Sequence, residues 1–195
     1  MGIEPGRVVT RETRVPIARW PADLGPLRIA ALADLHTGAP HITVDKVREI
    51  VRSVNAARPD LIVLLGDYVI HGVVGGRFVA IEPTAAVLRD LQAPLGVFAV
   101  LGNHDWWYDG SRTARALEAV GIRVLEDTAG HTHGGQVNLP VLGRLIVPSH
   151  FGDRYAIGHI HEDGRDLFVS PGIGTSIVPV RFRVPPEISL LTVGR

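Results

Sequence analysis

Cysteine is absent from this 195-residue chain, which removes disulfides, thiolate metal sites and a cysteine nucleophile together. Net charge is absent as well: twenty basic residues balance twenty acidic ones, so no overall field advertises nucleic acid or an anionic surface as a partner. Lysine is almost missing, Lys46 standing alone beside nineteen arginines, a compositional bias that carries no mechanism. No segment approaches the roughly 18–20 apolar residues needed to span a bilayer, and the N-terminus lacks the apolar stretch of a signal peptide. Gly6 stands where a myristoylation signal requires Ser or Thr. These absences lead to the expectation of a soluble, cytoplasmic protein, with peripheral attachment to a membrane left open and no oligomeric state encoded.

What is present suits one globular domain, with 46% hydrophobic and 21% charged residues. Residues 1–26, carrying Pro5, Pro16, Pro21 and Pro26, read as an N-terminal extension with an edge strand around Arg7–Ile17, and residues 27–195 as the domain proper. Short apolar runs then alternate with amphipathic stretches: Leu27–Ala33, Val44–Ala57, Leu61–Leu65, Pro83–Leu91, Val97–Leu101 and Arg112–Val120. That order, βαβαβα, is the signature of a layered α/β fold with a largely parallel sheet. Val47, Ile50, Val51 and Val54 form an i, i+3, i+4, i+7 stripe behind a Thr43 cap, and Ser111 and Gly121 bracket the third helix. After Gly121 the pattern changes to strand-like pieces, Arg123–Glu126, Leu145–Pro148, Leu167–Ser170 and Ile188–Val193, which read as a second, mixed or antiparallel sheet.

Polar residues of metal-ligand type gather where three of these strands end. Leu27–Ala33 runs into Asp34-Leu35-His36, Leu61–Leu65 into Gly66-Asp67, and Val97–Leu101 into Gly102-Asn103-His104-Asp105. Open α/β sheets bind ligands outside the carboxyl ends of their strands, so one metal-lined rim explains all three. Asp34 and His36 stand two apart, which in extended backbone sends both side chains to the same face, and the same spacing recurs in His131 and His133 of Gly130-His131-Thr132-His133-Gly134-Gly135-Gln136. Carboxylate, imidazole and amide donors without sulfur suit Mn, Fe, Zn or Ni. A carboxylate such as Asp67 can bridge two ions about 3.5–4 Å apart, a spacing that serves in-line displacement at phosphorus.

Each fragment alone has a plainer meaning: an Asp-x-His is most often a strand-end turn, and Asn and Asp favour strand exits and caps. Asp105 reads as a loop-orienting residue. Trp106, Trp107 and Tyr108 either pack beneath that loop or wall the site. His41, His159 and His161 have weaker claims, the last two reading as a solvated hairpin edge before Asp163-Gly164; the Arg154–Tyr155 and Arg181–Arg183 segments could meet substrate phosphate, with solvated surface arginines as the plainer reading. It is the joint order of the motifs that favours a metal site.

In that order the motifs resemble the calcineurin-like metallophosphoesterase superfamily, and the Gly-His-Thr-His-Gly-Gly-Gln form is similar to its bacterial branch of phosphodiesterases and enzymes cleaving UDP-2,3-diacylglucosamine. The resemblance implies a two-sheet β-sandwich flanked by helices, and hydrolysis of a phosphomonoester or phosphodiester by a metal-bridging hydroxide. It implies two divalent ions, the first held by Asp34, His36, Asp67 and His133, the second by Asp67, Asn103 and His131. His104 would stand over the phosphate as general acid or charge-stabilising donor. A lipid-linked nucleotide is the substrate class that branch suggests.

The chain also departs from the pattern. Family members carry a further strand pair and another metal-binding histidine before the Gly-His-Thr-His motif, whereas here Glu126-Asp127 runs almost directly into Gly130-His131. The expectation is a shortened second sheet and one of three outcomes at the second metal: a weak or empty site, a surplus histidine such as His71 or His150 in the vacant position, or a catalytically inactive binding module.

Overall fold

The computed structural model describes residues 6–125, 138–139, 143–144 and 152–195. A six-stranded, mostly parallel sheet organises them. Its strands are β1 (Val9–Pro16), β2 (Leu27–Leu32), β3 (Leu61–Leu64), β4 (Val97–Ala99), β5 (Arg123–Val124) and β10 (Glu187–Gly194), in the order β1-β10-β2-β3-β4-β5. β2 to β5 run parallel, β10 is antiparallel to β2, and β1 lies parallel to β10 at the edge. Two small antiparallel pairs accompany it, β6 (Asn138–Leu139) with β7 (Gly143–Arg144), and β8 (Gly158–Glu162) with β9 (Arg165–Val169).

The crossovers between parallel strands are the helices α1 (Val44–Ala56), α2 (Ile81–Leu88) and α3 (Asn103–Glu118), packed successively side by side. α1 forms as its pattern predicts: Thr43 Oγ1 accepts the Lys46 N–H at 3.1 Å, and Val47, Ile50, Val51 and Val54 are all buried. They join Leu32, Ile62, Leu64, Ile81 and Leu88 in one continuous core. α2 starts two residues earlier than its expected boundary, with Pro83 tolerated in the first turn. α3 begins at Asn103 rather than behind Ser111. Its backbone breaks at Asp109, whose Oδ1 accepts the Arg112 N–H at 2.9 Å and so caps the second half, leaving Ser111 inside the helix. Gly121, at φ +85°, does end it.

The second half of the chain divides differently from the expectation. β5 and β10 belong to the main sheet, and β10 is inserted between the first two strands of the chain. Its run of buried residues from Glu187 to Leu191 is what a strand flanked on both edges requires, and such pairing between distant segments leaves no local trace in a sequence. Arg165–Val169 pairs with Gly158–Glu162 through a turn at Asp163-Gly164, both at positive φ, as a tight hairpin demands. The strand expected at Leu145–Pro148 lies outside the described residues.

Because Ile50 fills the centre of the α1 stripe and is buried, Ile50→Ala is expected to lower the unfolding free energy by about 2–5 kcal/mol in a denaturant titration, whereas a Glu49→Ala change on the exposed face should leave it nearly unchanged.

Candidate active site

β2, β3 and β4 are neighbours and parallel, so the turns that follow them meet on one rim. Asp34 N donates to Gly66 O at 3.1 Å, and His36 N to Asp67 O at 2.9 Å, which ties the first turn to the second. His104 N donates to Asp67 Oδ1 at 2.9 Å, which ties the second to the third. All four of Asp34, His36, Asp67 and His104 are buried.

Their backbone explains how they converge. Asp34, His36 and Asp67 have φ of 53°, 45° and 57°, in the left-handed region that side chains other than glycine seldom occupy. The expected mechanism, an extended Asp34-x-His36 segment presenting both side chains to one face, is therefore incorrect: the strand has ended by Leu32, and two left-handed residues turn the chain instead. Such strain persists only where surrounding structure enforces it, and it clusters at functional sites. Part of the enforcement is a lack of side chains nearby. A Cβ on Gly102 would fall on the Asp67 carboxylate, and one on Gly172, itself at φ +73°, on the Asp34 carboxylate.

The donor atoms make a compact set. His36, Asp67 and His104 each offer a ligand atom within 4.8 Å of the others, a group able to hold a metal ion. His36 Nδ1 donates to Val69 O at 3.0 Å, which fixes the tautomer and leaves Nε2 facing Asp67 Oδ2 at 3.9 Å. An ion about 2.1 Å from each donor fits that separation. The His36 and His104 rings meet edge to face, with centroids 4.7 Å apart. Asn103 opens α3 at half-burial beside them. His131 and His133, the remaining sequence candidates, lie outside the described residues, as does His150.

Asp105 has the loop-orienting role expected of it, on a larger scale. Fully buried, it accepts the N–H groups of Asp67 at 2.7 Å, Tyr68 at 2.9 Å and Gly102 at 2.9 Å, clamping the second and third turns together. Burial pushes its carboxyl up to about 7 and the charge of Asp67 adds to this, while the backbone donors pull the other way. Tyr68 packs beneath, its hydroxyl donating to Val100 O at 3.0 Å.

Of the third-turn aromatics, Trp106 and Trp107 are exposed, at 61% and 66%, whereas Tyr108 is half-buried against the core. The Trp107 ring stands 4.9 Å from that of His104, and Tyr108 packs on Phe78 at 5.1 Å. His71 lies 5.8 Å from His104 between centroids, and its Nδ1 is buried without a hydrogen-bond partner among the described residues. His71 and Phe78 were not legible as neighbours of the site beyond the mere surplus of a histidine.

Other candidates fall elsewhere. His159 and His161 hydrogen-bond Asp166 Oδ1 at 2.7 and 2.9 Å and hold that carboxyl below its ordinary range, on the β8–β9 hairpin. Arg154 pairs with Glu162. Arg181 is the clearest correction: far from being a solvated or phosphate-facing arginine, it is completely buried and donates to backbone carbonyls. Nothing local in the sequence separates it from exposed Arg183.

Comparison with known proteins agrees with this geometry. Residues 27–143 match the family model described as calcineurin-like phosphoesterase. An uncharacterized metallophosphoesterase of Bacillus subtilis, YkuE, is 24% identical over 253 aligned positions that include 97% of this chain and 87% of that protein. A putative metallophosphoesterase of Caenorhabditis elegans, F40B5.2, is 30% identical over 83% of this chain, which spans only 34% of it. The UDP-2,3-diacylglucosamine pyrophosphatase LpxG of Chlamydia trachomatis is 38% identical over 86 residues, 44% of this chain and 24% of that one. The Bacillus alignment is longer than the whole 195-residue chain, so several tens of positions of that relative have no counterpart here.

Removing the Asp105 carboxylate would orphan several buried N–H groups together. Asp105→Ala is expected to destabilise the fold by roughly 3 kcal/mol or more, with Asp105→Asn intermediate, as read from urea midpoints of the three proteins.

Proposed function

Since the chain belongs to the calcineurin-like phosphoesterase family, and so to hydrolases acting on phosphoester bonds, we propose that its strand-end cluster is the centre that carries out this hydrolysis with two divalent ions. The observation that carries the reading is the convergence, within 4.8 Å of one another, of buried His36 and Asp67, taken here as ligands, and His104, taken here as the group over the phosphate; Asp34, also buried on this rim, is a ligand by the resemblance and lies outside that trio. In this reading Asp34, His36, Asp67 and His133 hold the first ion, and Asp67, Asn103 and His131 the second, with Asp67 shared. The donor set, imidazole and oxygen without sulfur, fits Mn, Fe, Zn or Ni.

Ions bound there supply Lewis acidity toward the phosphoryl oxygens and activate water for attack. The chain's own groups do the rest. The hydrogen bond from His36 to Val69 O keeps its ring aimed. The tie from His104 N to Asp67 fixes the start of α3, so that the His104 imidazole can donate to the departing oxygen or to the charge developing on phosphorus. No covalent enzyme intermediate is required.

A lipid-linked nucleotide is the substrate class we favour. LpxG is named for a diacylated sugar nucleotide, and exposed apolar side chains stand beside the site here, Trp107 against His104 and Phe78 against His71. Such a rim suits an acyl-bearing substrate and peripheral contact with the membrane that holds it. No helix among the described residues is long and apolar enough to cross a membrane.

One observation favours a second reading, a module that binds metal and turns over slowly or not at all: the several tens of positions lacking a counterpart. His71, with its buried and unpartnered Nδ1 near His104, is the residue best placed to compensate.

Asp67→Asn should abolish hydrolysis of bis-p-nitrophenyl phosphate and lower the metal content per chain by elemental analysis; an unchanged rate would sink the active-site reading. Two ions per wild-type chain with turnover in Mn, Fe, Zn or Ni favour the enzyme, and one ion or none without turnover favours the binding module. If His71 compensates, His71→Ala should lose one ion from a two-ion protein.

A further inference from the structure

Arg181 is fully buried, and it donates to a set of main-chain carbonyls. Its Nε and Nη2 donate to Gly174 O at 2.9 and 2.6 Å, Nη2 also to Pro171 O at 3.0 Å, and Nη1 to Val184 O at 3.2 Å. Burial pulls its pKa down to about 10, while the charges of Asp34 and Glu187 oppose that shift. Burying a guanidinium is expensive, and apolar residues of similar volume usually fill such a space at least as stably. Its retention here calls for a local reason.

The loop that it grips supplies one. Ile173 N donates to Ala33 O at 2.9 Å and Gly174 N to Asp34 O at 2.5 Å, so the segment 171–174 is stitched along the Asp34–His36 turn. Gly172 abuts the Asp34 carboxylate, and a Cβ on Gly174 would stand 2.7 Å from His36 Cβ. The fork of Arg181 thus fixes the far side of the loop whose near side confines two left-handed residues.

We propose that Arg181 is a positioning residue for the metal centre: by holding Pro171–Gly174 against the Asp34–His36 turn, it keeps the Asp34 and His36 side chains in their metal-binding arrangement. The inference rests on the metal reading above and adds to it a residue that touches neither ion nor substrate. Arginine is suited to this because its planar fork reaches carbonyls of three residues at once, which an ammonium cannot.

The test is titration of the full chain, freed of metal, with Mn²⁺ by calorimetry, beside hydrogen exchange at the Ile173 and Gly174 amides. Arg181→Met should weaken Mn²⁺ binding by about tenfold or more and speed exchange at those two amides. Arg181→Lys should recover thermal stability more fully than metal affinity, and it carries the test if the methionine variant does not fold. Ile50→Ala, which destabilises the core at the middle of α1, should leave the dissociation constant within about twofold. A folded Arg181 variant with wild-type Mn²⁺ affinity and unchanged exchange overturns the proposal. A wild-type chain that takes up no Mn²⁺, and is therefore no different from Asp34→Asn, overturns the metal reading and this inference with it.

Discussion

The rim that buries Asp34, His36, Asp67 and His104 is held together by main-chain N–H groups turned inward onto one further buried residue. That residue is Asp105, its two oxygens holding amides from the turns after β3 and β4. A carboxylate so held is itself costly to bury, which is why its carboxyl lies near 7 rather than in its ordinary range. The exchange is still favourable to the fold, because the same amides, turned inward at the ends of strands, would otherwise have no partners. With Asp105 in place, Asp67 has a fixed backbone, His104 has a fixed helix start, and the geometry of the rim follows.

Fixing the turns also lets the fold sustain strain. Three residues at positive φ in the turns after β2 and β3 resist their own side chains, and each is held by a hydrogen bond to a neighbouring turn. Glycine is needed where the turns crowd. Gly102 leaves room for the Asp67 carboxylate and Gly172 for that of Asp34, so the space that shapes the site is set by missing side chains as much as by present ones. The 171–174 loop closes the arrangement from the far end of the sequence, carried there by β10, which is inserted beside β2.

How much of this was legible follows from what local pattern can carry. The α1 stripe, the Thr43 cap, the parallel strands and the turns after β2, β3 and β4 are short-range features, and each stands close to where the pattern puts it. The insertion of β10 between β1 and β2 is a pairing across most of the chain and leaves no local mark. Left-handed backbone at Asp34 and His36 was hidden for a different reason. Asp and His at i and i+2 read naturally as extended, and only the contacts of a second and a third turn force them out of that conformation. Arg181 was misread because composition treats every arginine as solvated until the carbonyls around it are known.

With no net charge the chain has no overall excess of positive charge to draw in an anionic substrate, and Arg181, fully buried, donates to main-chain carbonyls. Recognition under the proposed reading must then arise at close range, from the centre itself and from what surrounds its mouth. There the chain places aromatic side chains, Trp107 beside His104 and Phe78 beside Tyr108. Binding energy realised on an apolar part of the substrate can be used to hold the phosphoryl group in line at the ions, and a substrate trimmed of that part would lose rate as well as affinity. Under that reading the exposed aromatics would select and orient the substrate, and the buried cluster, held by Asp105 and the 171–174 loop, would react.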